Sequence, residues 1–131
     1  MKLMTKGNYV DGFVLVVPKN KTAVYRKMAK EGARMWKKYG ALDYKECMGD
    51  DLNIKPMGGM SPLLFPKMTK AKKGEVVWFS YIVYKSRAHR DAVNKKVMAD
   101  MSKYAEKHKD MSMPFDMKRM AYGGFKVVVS A

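Results

Sequence analysis

Two stretches of the chain are apolar on both sides of a two-residue period. In YVDGFVLVV, from Tyr9 to the stop at Pro18, Phe13, Leu15 and Val17 share one side, and Val14 and Val16 share the other. In EVVWFSYIVY, from Glu75, Val76, Trp78, Ser80, Ile82 and Tyr84 point one way and Val77, Phe79, Tyr81 and Val83 the other. Strands apolar on both faces, rich in β-branched and aromatic residues, belong in the middle of a sheet covered on both sides. Ala41 to Met48 instead alternates, with Leu42, Tyr44, Glu46 and Met48 opposite Asp43, Lys45 and Cys47, which predicts an edge strand.

The helical period appears in two places. Val24, Met28, Met35 and Tyr39, with Tyr25, Ala29, Gly32 and Trp36 beside them, predict an amphipathic helix capped by Asn20 and closed at Gly40. Ser86 offers an N-cap oxygen for a second helix carrying Val93 and Val97. Asp100 falls in that helix's apolar stripe, which predicts a bend near Ala99 to Asp100 and a short helix from Met101 to about His108. Residues 49–74 hold Gly58-Gly59 and three prolines and read as a long connection. The last strand is placed at Lys118 to Val129, after a loop through Pro114.

The resulting order, β-α-β-β-α-β, is the ferredoxin-like pattern, an α+β four-stranded antiparallel sheet with both helices on one face. Its other face is left bare although the central strands are apolar there. Monomers rarely expose more than a few hundred Å² of contiguous apolar surface, so a second copy packed sheet to sheet is expected, giving a dimeric α+β barrel. The 131 residues suit one such domain, 1–131, with residues 1–8 as a loose lead-in.

Composition adds partners rather than fold. Lys and Arg total 27 against 12 acids, a formal charge of +15, which suits nucleic acid, anionic lipid or acidic metabolites. Because the lysines spread through 19–38, 67–73 and 103–109, the preferred reading is a solvated surface with a diffuse field. The single cysteine, Cys47, excludes an internal disulfide and a cysteine-built zinc site. The 14 methionines, with Met57 near Met60 and Met111 near Met113, read as flexible gap-fillers rather than thioether ligands for copper. No apolar run approaches a membrane span, and a soluble cytoplasmic protein is expected.

The segments YVDGFVLVVPK, EGARMWKKYGALDYKEC, VVWFSYIVYKSRAHRDAVNKKVM and MPFDMKRMAYGGFKVVVSA closely resemble the YbaA-like family of small bacterial proteins, a domain family of unknown function, over about Tyr9 to Ala131. YKSRAHRD and MPFDxKRMxYGGFK carry most of the likeness. The resemblance implies membership of the dimeric α+β barrel group and brings no established reaction. The chain departs from it in the Met-rich stretch Met57 to Lys73 and in Ala99 to His108, which lacks the proline expected after Asp100.

For chemistry, His89 is the catalytic candidate, since the helix N-terminus on which it sits disfavours the imidazolium and leaves a neutral proton acceptor. A packing and capping histidine is the alternative. Arg119 with Tyr122 and Gly123-Gly124 is the ligand-binding candidate, the arginine offering a fork of donors and the glycines a close approach. Those glycines would equally make room for aromatic rings across the sheet. Asp11, Tyr44, Glu46 and Trp78 are placed on the same sheet side, with Asp11 either paired or at the open mouth. His89 and Arg119 are expected to converge on one ligand. No motif for a cofactor, a metal or a nucleophilic triad is present, so the cofactor is left unknown. The expectation is a basic homodimer binding a small anionic or aromatic molecule between sheet and helices, with cofactorless catalysis left open. The alternative is an RNA-associated protein, because YGGFKVVV faintly resembles an RNA-recognition strand; with the sheet covered, nucleic acid binding is expected to be weak and nonspecific.

Overall fold

The computed structural model describes residues 7–55, 58–107 and 113–131, without the side chains of 104, 105 and 107. The lead-in up to residue 6, Met57, His108 and Met111 lie outside the described residues. In chain order the elements are β1 (Tyr9–Pro18), α1 (Thr22–Lys38), β2 (Asp43–Met48), the short α2 (Phe65–Thr69), β3 (Glu75–Tyr84), α3 (Arg87–Lys107) and β4 (Ala121–Lys126). The four strands form one antiparallel sheet in the order β2-β3-β1-β4, so the two doubly apolar strands are central. This order of elements is consistent with the ferredoxin-like pattern.

Pairing of Leu15 with Trp78 and Asp11 with Ile82 puts these side chains on one face, and both long helices cover that face. Leu15, Val17 and Trp78 pack with Tyr25 and Ala29 of α1, closed by Phe115 and Met120. Ile82 and Tyr84 pack with Val93 and Val97 of α3 and with Ala41. On the opposite face Val16 and Val77 are buried, near the end where residues 49–74 leave and rejoin the sheet. Phe79 and Phe125 on that face are 45 % and 62 % exposed, and among the described helices neither α1 nor α3 reaches them.

Several boundaries differ from the sequence reading, each for a local reason. Asn20 does not cap α1: the chain leaves Pro18 through a 3-10 turn, Lys19–Lys21, in which the Thr22 hydroxyl donates to the Lys19 carbonyl, and the cap residue is Lys21. The buried face of α1 centres on Tyr25 and Ala29, leaving Val24 exposed. Gly40, at φ +113, does end the helix, and Ala41 belongs to its exit turn because its N–H bonds to the Trp36 carbonyl. The bend near Asp100 is absent and α3 runs on unbroken to Lys107. Asp100 lies at the margin of the stripe, where the Tyr39 hydroxyl donates to it at 2.7 Å and Lys38 stands at 3.7 Å, so its carboxylate needs no break in the helix.

The last strand is shorter than expected at both ends. Asp116 accepts from the Lys118 N–H and starts a 3-10 turn, Met117–Arg119, so Arg119 is not on the strand. After Lys126, Val127 bonds to Asn8 and the ladder ends, because β1 begins at Tyr9 and offers nothing further to pair with. Val128 and Val129 are almost fully exposed.

The helical layer is pinned to the sheet by charge as well as by packing. Asp11, 1 % exposed on β1, accepts from Arg90 Nη1 of α3 at 2.7 Å, and the guanidinium lies over the Tyr9 ring at 5.0 Å. Asn94, one turn on, accepts from Trp36 Nε1 at 3.0 Å and from the Tyr84 hydroxyl at 3.2 Å, joining α1, α3 and β3. Arg90→Leu would leave Asp11 buried and unpaired, and urea denaturation is expected to show a loss of about 3–5 kcal/mol. The double variant Asp11→Asn with Arg90→Leu, which removes both charges, is expected to lose less than Arg90→Leu alone.

Candidate functional site

An open cleft of about 390 Å³ lies between α1 and the β2 side of the sheet. Helical spacing directs Thr22, Arg26, Ala29, Lys30 and Ala33 toward it, and strand alternation directs Tyr44, Glu46 and Met48 of β2 and Trp78 of β3 from below. Register places Met48 beside Trp78 and Glu46 beside Ser80, so the acid enters on the helix side of an edge strand.

Glu46 is held by two phenols. Tyr25 donates to Oε1 at 2.7 Å and Tyr44 to Oε2 at 2.8 Å. Burial pushes the Glu46 carboxyl above its usual range, and the two phenol bonds oppose that rise. Burial, with the carboxylate alongside, drives both phenols far up, so they remain donors at any ordinary pH. Gly32 makes the Tyr44 position available: a methyl group at residue 32 would sit 3.1 Å from the Tyr44 hydroxyl. Trp78 is 4 % exposed, packs edge-on to Tyr25 at 4.8 Å between ring centroids, and its buried Nε1 has no hydrogen-bond partner among the described residues. A buried donor left unpaired costs about 1–3 kcal/mol, so this N–H is the chief unmet polar demand beside the cleft. Arg26 and Lys30, both exposed, set a positive rim.

The candidate residues read from sequence fall into four places. Tyr44, Glu46 and Trp78 meet in the cleft. Asp11 and Tyr122 meet around Arg90, whose Nη1 reaches the Tyr122 hydroxyl at 3.4 Å, while Tyr122 stacks on Phe13 at 4.7 Å. Asp11 is therefore paired rather than at an open mouth, and burial raises its carboxyl against the pull of Arg90. His89 stands at the Tyr84 end of β3 with both nitrogens engaged by backbone: Nδ1 accepts from the Lys85 N–H at 3.0 Å and the Nε2 side is bonded at Gly40. Its imidazole is held below the usual histidine range, chiefly by burial and then by Lys85. The neighbouring helix start is capped as expected, with Ser86 Oγ accepting from the His89 N–H at 3.0 Å.

Arg119 is at the opposite end of the sheet. It holds both oxygens of Glu75 at 2.8 Å and also reaches Asp116 and the Lys70 carbonyl, at 3.2 Å each. Glu75 and Tyr84 are the two ends of a ten-residue strand, about 30 Å apart at ~3.3 Å per residue. His89 and Arg119 thus do not converge, and the expectation of a shared ligand site is overturned. The glycine question resolves toward geometry at Gly124, where a methyl group would clash with the Tyr9 hydroxyl and ring. Sequence reading missed Tyr25, Arg26 and Lys30 as cleft residues, and Arg90 as the partner of Asp11. The signal for Arg90 was its place beside His89 in KSRAHRD, one turn before the half-buried Asn94.

Residues 8–117 match the family described as "Protein of unknown function (DUF1428)". The chain belongs to the DUF1428 family. It is 44 % identical over 123 residues to the "Uncharacterized protein YbaA" of Escherichia coli K12, a span covering 92 % of this chain and 97 % of that protein. The YbaA proteins of Escherichia coli O157:H7 and Shigella flexneri match to the same extent. Every residue of the cleft lies inside the DUF1428 match, whereas Arg119 and Tyr122 lie past its end. No helix among the described residues is long and apolar enough to cross a membrane.

The Glu75–Arg119 bridge predicts a pH dependence of stability. Bidentate bonding by Arg119 holds the Glu75 carboxyl at about 2, below its ordinary 4.5. A depressed carboxyl stabilises the fold fully above its unfolded value and ceases to do so as pH falls through its folded value. Melting temperature is expected to drop between about pH 4.5 and 2, and Glu75→Gln is expected to flatten that part of the profile while lowering stability at pH 7.

Proposed function

We propose that this DUF1428 protein is a homodimer that binds a small anionic molecule with an aromatic or apolar body in the cleft between α1 and the β2 side of the sheet. The observation that carries the reading is the cleft itself, rimmed by Arg26 and Lys30 and walled by Glu46, Tyr44 and Trp78. The ligand's anionic group would face the rim, and its body would rest on Ala29, Ala33 and Met48. Glu46, made more basic by burial, gives the cleft a proton acceptor, and cofactorless proton transfer is the catalysis such a site would support.

The dimer is supported by the open sheet face. Phe79, Tyr81, Val10, Val14 and Phe125 share it, and Lys45 is its one basic side chain within the strands on that side. Burying each large side chain contributes about 1.5–3 kcal/mol, so a few per subunit suffice. A second reading uses the same rings: Phe79 and Tyr81, 5.9 Å apart, with Phe125 would serve as a stacking platform for RNA. A covered face and a stacking face exclude one another. Light scattering at micromolar concentration is expected to give a dimer; a stable monomer would sink that half and advance the RNA reading.

The cleft is tested with salicylate and phenyl phosphate, followed by tryptophan fluorescence and thermal shift. Saturable binding is expected, weakened tenfold or more by Arg26→Ala with Lys30→Ala and retained in Lys85→Ala, an exposed residue just past the Tyr84 end of β3. Binding that ignores the rim variants would remove the cleft from consideration.

A further inference from the structure

The basic residues are not evenly spread once the chain is folded. α1 carries six Lys or Arg against one Glu, and α3 six against three acids, so the two helices hold twelve of the protein's 27 cations. The strands hold only Lys45 and Lys126. All six cations of α1 are exposed, as are Lys95, Lys96 and Lys103 of α3. The molecule therefore has one apolar face and one cationic face, on opposite sides of the same sheet.

The cationic face has a focus. A cleft of about 470 Å³ between the end of α1 and the middle of α3 is lined by Lys38, Tyr39, Lys96, Ala99, Asp100 and Lys103. Lys96 and Lys103 are seven residues apart, on the same side of α3 and about 10 Å apart along its axis. The one carboxylate in the cleft is already engaged by the Tyr39 hydroxyl and lies 3.7 Å from Lys38. Among the described residues no carboxylate lies within 4 Å of Lys96 or Lys103.

We propose that the helical layer, centred on the Lys38–Lys96–Lys103 cleft, docks the phosphodiester backbone of a nucleic acid without reading its sequence. Charge complementarity selects the occupant: the cations extend along two helices beyond the cleft, which fits an extended polyanion rather than a single phosphate. The cleft lining offers no large aliphatic side chain to enter a bilayer. The Lys38–Lys96–Lys103 cleft shares no lining residue with the small-molecule cleft, and it lies on the helical side that a second copy covering the sheet would leave open. It differs from an RNA platform on the sheet, since no aromatic stacking is involved.

The test is fluorescence anisotropy with a labelled 20-nucleotide RNA and a 20-base-pair DNA duplex at 50–300 mM salt. Two variants carry the same change in net charge: Lys38→Glu, Lys96→Glu, Lys103→Glu on the helical face, and Lys67→Glu, Lys72→Glu, Lys73→Glu on the connection before β3. Wild type is expected to bind both probes, with a log-log salt slope of about −0.7 per phosphate for the single strand and −0.9 for the duplex. The helical triple is expected to lose tenfold or more and the connection triple less than threefold; the corresponding Gln variants keep the comparison open should a Glu triple fail to fold. Equal losses in the two triples, no binding by wild type at 50 mM salt, or binding only to phosphatidylserine-containing vesicles would each overturn the proposal.

Discussion

A sheet whose two central strands are apolar on both faces, with long helices on only one of them, is the constraint behind the rest of this structure. β1 and β3 can tolerate such composition only in the interior of the sheet, which forces β2 and β4 to the edges. Both core clusters then form on the helix side, and the buried Asp11 and Ser80 and the half-buried Glu46 enter from that side too. The bare side keeps its aromatic rings and almost no charge. The two layers are thereby chemically unlike: buried polar groups lie between sheet and helices, and the opposite face is aromatic and aliphatic.

Three carboxylates near the sheet show how differently an acid can be accommodated. Asp11 has a cation and is pinned inside the fold. Glu75 has a bidentate guanidinium near the surface and ties the start of β3 to the turn before β4. Glu46 has no ion-pair partner among the described residues, only two phenols, so its charge is the least well compensated of the three. An acid so placed is poor at stabilising a fold and well suited to exchanging a proton. Glu46 also lines the cleft together with Trp78, whose indole N–H has no partner among the described residues.

Much of the fold was legible because period and burial agree. The doubly apolar runs gave the central strands, Ser86 and Gly40 gave helix ends, and Tyr44, Glu46 and Trp78 were placed on the correct face by alternation alone. Long-range pairing was not legible, since Arg90 and Asp11 are 79 residues apart and Arg119 and Glu75 are 44 apart. Arg119 read as a ligand residue because a fork of donors near glycines looks the same whether its acceptor is a substrate or the chain's own Glu75. His89 misled in the same way, its ring being consumed by the backbone of Lys85 and Gly40. Asp100 suggested a break because period analysis cannot see a tyrosine on a neighbouring helix.

The end of β4 bears on how the protein behaves at high concentration. Its outer edge pairs with no strand among the described residues, and beyond Lys126 the chain continues as three valines, two of them almost wholly exposed. An uncharged, β-branched run beside an open edge is a template for further strands, and natural sheets usually blunt it with lysine, proline or a bulge. Lys126 is the only such guard within β4. Resistance to self-templating therefore rests less on the edge's own sequence than on mutual repulsion between highly charged copies, a safeguard that added salt weakens.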